Sequence, residues 1–89
     1  MKLPNTIRGR VTAADIAKAD HNSPTHCCVV ATALKRRFKN KVGWVGTYVA
    51  ELNNTYYQID KVAAGFIGDW VSFKPIQPFN FVLKRDIEF

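Results

Sequence analysis

Polar and apolar residues alternate through Ile7-Arg8-Gly9-Arg10-Val11, a period of two that predicts a short first strand. Thr12 followed three residues later by Asp15 has the form of a capping box, which starts a short helix through Asp15-Ile16-Ala17-Lys18-Ala19. His21-Asn22-Ser23 is polar and turn-like. The period then lengthens. Cys27, Val30, Ala31, Leu34 and Phe38 recur at helical spacing and make one apolar stripe. Ser23 is the expected cap of that helix, with Pro24 at its first position, where a missing N–H costs nothing. Asn40 to Gly43 ends it.

The run Gly43-Trp44-Val45-Gly46-Thr47-Tyr48-Val49-Ala50 is rich in strand formers. Asn53-Asn54 supplies a turn, and Thr55-Tyr56-Tyr57-Gln58-Ile59 returns as the partner strand of a hairpin. Asp60 caps a third predicted helix. Its expected buried face is Val62, Ala63, Phe66, Ile67, Trp70 and Val71, with Gly65 and Gly68 weakening it. Pro75 and Pro78 bracket a turn before a last strand, which sets Phe79, Phe81 and Leu83 on one face and Asn80, Val82 and Lys84 on the other. The pattern predicts an α+β domain: a small, mostly antiparallel sheet of about four strands, with two main helices and one short helix packed on one face.

Eighty-nine residues, 47% of them hydrophobic, make a single globular domain spanning residues 1–89 with a modest core. No apolar run approaches the ~18–20 residues of a membrane span. Met1-Lys2-Leu3-Pro4-Asn5 lacks the apolar stretch of a signal peptide, so the expected location is the cytoplasm. The two cysteines, Cys27 and Cys28, are adjacent, and a bridge between neighbours is strained by disulfide geometry. Both are expected to be reduced thiols, in keeping with a cytosolic setting. The formal net charge of +6 points to anionic partners: nucleic acid, an acidic protein face or a membrane surface.

Candidate chemistry concentrates between Pro24 and Asn40. His21, His26, Cys27 and Cys28 are four potential metal ligands, but adjacent helical cysteines diverge by about 100° and the spacing matches no usual zinc pattern. A cysteine nucleophile at a helix start, with His26 or His21 as base, lacks a group to orient either histidine. Cys27 falls on the apolar stripe as a core member, and Cys28 at its flank. Neither a catalytic residue, a metal nor a cofactor is expected. Lys35, Arg36, Arg37, Lys39 and Lys41 exceed what complementing a helix dipole requires, and they are the expected contacts for phosphates or an acidic protein face. Of the aromatics on predicted strands, Trp44, Tyr48, Tyr56, Tyr57, Phe79 and Phe81, most are expected in the core. Tyr48 and one of Tyr56 or Tyr57, with Tyr56 favoured, are expected outside as aromatic anchors. The aromatic pattern of RNA-recognition sheets is absent.

Four segments carry a resemblance: Val11-Thr12-Ala13-Ala14-Asp15-Ile16, the run Cys28 to Leu34, the run Val62 to Trp70, and Pro78-Phe79-Asn80-Phe81-Val82-Leu83. Together they resemble a set of small, uncharacterised phage and prophage accessory proteins. The chain departs from their pattern at Val29, where they have proline after the cysteine, and by the added Cys27. The resemblance implies a phage setting and a compact α+β fold, and supplies no activity. By analogy of gene context, it suggests a non-enzymatic protein that binds a host macromolecule and inhibits a bacterial defence system, in the manner of an anti-CRISPR protein. Its partner would be a host protein or ribonucleoprotein complex with an acidic or phosphate-bearing surface. The alternatives are a small basic nucleic-acid-binding module and, lower in rank, a cysteine-dependent enzyme.

Overall fold

The computed structural model describes residues 4–23 and 28–85. The elements run β1 (Thr6–Val11), α1 (Ala13–Lys18), α2 (Val29–Phe38), a 3₁₀ turn (Lys39–Lys41), β2 (Val42–Val45), β3 (Val49–Leu52), β4 (Thr55–Ile59), α3 (Lys61–Val71) and β5 (Phe79–Arg85). The strands form one sheet in the order β1-β5-β4-β3-β2, every neighbouring pair antiparallel. The α+β class holds, with five strands where about four were expected. The extra strand arises because the Gly43–Ala50 run folds on itself at Gly46-Thr47-Tyr48, where the Gly46 N–H donates to the Val49 carbonyl at 2.8 Å. That turn carries no Asn-Gly or Asp-Gly signal, so strand propensity alone did not divide the run. Tyr48 therefore sits in a turn and not on a strand.

Several local signals act as the sequence predicts. Thr12 and Asp15 complete the capping box of α1. Asn53 and Asn54 adopt φ of 51° and 62°, the left-handed pair that a tight β-hairpin turn requires and asparagine tolerates. Asp60 caps α3 by accepting from the Ala63 N–H at 3.1 Å, and its other oxygen accepts from the Val82 N–H at 2.8 Å. One side chain thus starts the helix and ties it to β5.

Alternation along the strands turns Ile7, Val11, Tyr57, Ile59, Phe79, Phe81 and Leu83 toward the helices, and all are buried. The Tyr57 hydroxyl donates to the Pro4 carbonyl at 2.8 Å. Burial pushes that hydroxyl above its ordinary value, against the opposing charge of Arg85. From α2, Val29, Val30, Ala31, Ala33 and Leu34 enter the core, with Phe38 half-buried at the end. This helix touches both edge strands, β1 and β2, and so spans the width of the sheet.

Three expectations are corrected. The helix carrying the basic cluster does not run continuously from Pro24, because Cys28 is extended (φ −70°, ψ 174°) and is itself the N-cap, its sulfur accepting from the Ala31 N–H. The predicted Ser23–Pro24 start and the core position of Cys27 lie at or beyond the edge of the described residues. Cys28 is not at the flank of the stripe but 1% exposed, inside the core. On α3 the buried residues are Ala63, Ala64, Ile67 and Trp70, with Phe66 stacked on Phe79 at 4.4 Å, whereas Val62 and Val71 are exposed. At 100° per residue Val62 lies off the arc centred on Ala63 and Ile67, and Val71 falls at the helix end, beyond the sheet.

Two kinds of glycine occupy this framework. A Cβ at Gly9 would collide with the buried Phe81 ring across the β1–β5 pair, whereas one at Gly65 or Gly68 would meet nothing within 4 Å. Gly65→Ala and Gly68→Ala are each expected to stabilise the protein by about 0.5–1 kcal/mol, raising Tm by about 2–8 °C. Gly9→Ala is expected to cost about 1–3 kcal/mol through overpacking. Thermal unfolding of the three variants reads both signs.

Candidate anion-binding surface

The alternation that buries one face of the sheet exposes the other. Arg8 and Arg10 of β1, Asn80 and Lys84 of β5, and Tyr56 and Gln58 of β4 project on the side away from α2 and α3, and all six are exposed. The register sets Arg8 beside Val82, Arg10 beside Asn80, and Lys84 between Thr6 and Gln58. The Arg10 guanidinium donates to the Asn80 side-chain oxygen at 3.0 Å. A shallow depression of about 360 Å³ lies over this face, lined by Arg8, Gln58, Ile59, Asp60, Val82 and Lys84. A second, of about 480 Å³, continues over Arg8, Arg10, Asn80 and Val82. Among the described residues Asp60 is the only carboxylate lining either one, and both its oxygens are already bonded to backbone N–H groups of α3 and β5.

The basic cluster of α2 divides. Arg36 pairs with Asp15 (Nη2 to Oδ2 2.8 Å, Nε to Oδ1 3.3 Å) and also donates to the Arg10 carbonyl at 3.2 Å. Arg37 donates to the Arg8 carbonyl at 3.1 Å and lies over the Phe38 ring. These carbonyls belong to an edge strand, so the two arginines cap hydrogen-bonding groups that another chain could otherwise pair with. Their guanidinium groups also stand beside Arg8 and Arg10, bringing four arginines to one rim of the sheet. Lys35 is half-buried on α2. Lys39 and Lys41 are exposed in the 3₁₀ turn leading to β2, the opposite edge strand, and Lys41 borders a hollow with Glu51, Asn53 and Asn54.

Tyr48 and Tyr56 are both exposed, 69% and 43%, while Tyr57 is buried. They do not adjoin the α2 arginines. Tyr56 stands on the outer sheet face with the half-buried Trp44 ring 6.2 Å away, tilted by 59°, and Glu51 lies between them in the register. The surface that forms is thus cationic toward β1 and β5 and aromatic toward β4 and β2. Arg8, Arg10 and Lys84 were not among the expected contacts. The signal for them was present: if Ile7, Val11 and Leu83 face in, their strand neighbours face out. What local pattern does not contain is that the first strand pairs with the last.

The residues considered for chemistry go elsewhere. His21 is sandwiched between Trp70 (3.9 Å) and Phe73 (4.2 Å), and its Nε2–H donates to the Trp70 carbonyl at 2.7 Å. It fastens the segment after α1 to the end of α3. His26 and Cys27 lie outside the described residues. Among the described residues, no group of three or more His, Cys, Asp or Glu side chains is placed to hold a metal ion, and no helix is long and apolar enough to cross a membrane. No protein-family model matches the chain, and comparison with curated proteins and with solved structures likewise finds no match.

Asp15 is the buried charge beneath this rim. Burial pushes its carboxyl up, but hydrogen bonds from Arg36 and from the Thr12 backbone and hydroxyl, together with the Arg36 charge, outweigh that and hold it below the ordinary value. A carboxyl lowered in the native state stabilises the fold fully above the ordinary value of about 3.9, and the contribution is lost as pH falls through the native value. Asp15→Asn is expected to cost about 1–3 kcal/mol at neutral pH, from the charged hydrogen bonds to Arg36, and to flatten the decline in stability below about pH 4. Urea unfolding at pH 7 and pH 3 measures both effects.

Proposed function

We propose that the protein is a non-enzymatic binding module that engages an anionic macromolecule over the outer face of its sheet. The observation carrying this reading is the convergence of Arg8, Arg10 and Lys84 on adjacent strands, with Arg36 and Arg37 at the rim and the lining carboxylate, Asp60, already occupied. Cations held on paired strands are preorganised, so binding orders few groups. Lys39 and Lys41, exposed just before β2, and Tyr48, exposed in the turn at the other end of that strand, serve as secondary contacts. A reading as an enzyme has less support: Cys28 is buried and its sulfur caps α2, and His21 is clamped between two rings. The resemblance to phage accessory proteins adds a biological role, in which the macromolecule is a host factor and the outcome is inhibition of a bacterial defence system.

Elution from an immobilised polyanion such as heparin in a salt gradient tests where binding occurs. The Arg8→Glu/Lys84→Glu variant is expected to elute at markedly lower salt than the wild type. Lys39→Glu/Lys41→Glu should shift less, and both should keep Tm within a few degrees, since all four side chains are exposed. Equal elution of the wild type and the Arg8/Lys84 variant would overturn the assignment of the site.

A further inference from the structure

Resting on that reading, we infer that the anionic partner is single-stranded nucleic acid, lying across the strands with its phosphates on Arg8, Arg10 and Lys84 and a base against Tyr56 and Trp44. The outer face divides into two kinds of surface in the direction that crosses the sheet. Cations occupy β1 and β5, and rings occupy β4 and β2. From β1 to β2 are four strand spacings, about 19 Å, enough for a few nucleotides in extended form. Single-strand binding surfaces combine these two elements, a charged track for the backbone and ring faces that stack on unpaired bases. A duplex would leave the rings without a function, because its bases are already stacked.

Stacking separates nucleic acid from an acidic protein: an unpaired base presents a ring face to Trp44 and Tyr56, and a run of carboxylates does not. Glu51, between them in the register, has its carboxylate against Gly43, lining the hollow that Lys41 borders. Gln58, beside Lys84, and Asn80, beside Arg10, add amide groups able to bond to sugar or base edges along the track.

Fluorescence anisotropy with the full chain tests this, using a labelled single strand of about eight nucleotides, the same sequence as a duplex, and poly-glutamate as the acidic-polypeptide probe. The single strand is expected to bind most tightly. Arg8→Ala/Lys84→Ala should reduce the slope of log K against log salt by about 1.4, the value for two lost phosphate contacts on a single strand. Tyr56→Ala should weaken binding by about 5- to 150-fold while leaving that slope unchanged. Trp44→Phe, which keeps a ring, should retain binding and remove the quenching of tryptophan fluorescence by the oligonucleotide, since the other tryptophan, Trp70, is buried. Duplex binding equal to or tighter than that of the single strand, or full binding by Tyr56→Ala, overturns the inference. Binding of poly-glutamate but not of the oligonucleotide also overturns it, yet leaves the anionic-partner reading in place. Failure of all three probes removes both.

Discussion

β5 hydrogen-bonds on one side to β1 and on the other to β4, and the surface chemistry of the molecule depends on that insertion. Before the strand is in place, Arg8 and Arg10 belong to an isolated N-terminal segment and Lys84 lies more than seventy residues away along the chain. Once it is in place, the three cations share a face and Phe81 fills the space that Gly9 leaves open. The Asp60 carboxylate links the same strand to the start of α3. A backbone pairing, not a charged contact, therefore creates the basic face.

The acidic residues help to shape it from within. Asp15 closes the first turn of α1 and holds Arg36, while Asp60 closes the first turn of α3 and holds β5. Both carboxylates sit at helix starts, where the backbone N–H groups and the helix dipole favour negative charge. These two carboxylates are thus drawn into joints of the fold, while Arg8, Arg10 and Lys84 are left on its surface.

The local devices of this fold were legible in the sequence because each acts within a few residues: the Thr12–Asp15 box, the Asp60 cap, the Asn53-Asn54 turn and the in-out alternation of the last strand. What spacing could not supply was the partner of each strand. For that reason the basic run from Lys35 to Lys41 read as one patch. In the fold Arg36 and Arg37 turn to the carbonyls of β1, while Lys39 and Lys41 lead into β2 at the opposite edge. The turn at Gly46-Thr47-Tyr48 was hidden for a related reason, since Thr47 and Tyr48 have good strand propensity and the reversal is held by pairing on both sides. Cys28 shows the same limit at the level of one residue. The period of the helix placed it beside the stripe, but the chain is extended there, so the helical phase does not extend back to it.

The central position of β5 also bears on how the protein is made. A chain emerging from the ribosome can form α2, the β2–β3–β4 meander and α3 from segments close in sequence, but β1 has no partner strand until β5 follows. Contacts of such large sequence separation are slow to form because loop closure precedes any gain from them. During synthesis β1, and the edge of β4 that faces it, therefore lack a backbone partner until residues 79–85 are made, so the sheet closes after translation of β5 and not progressively along the nascent chain.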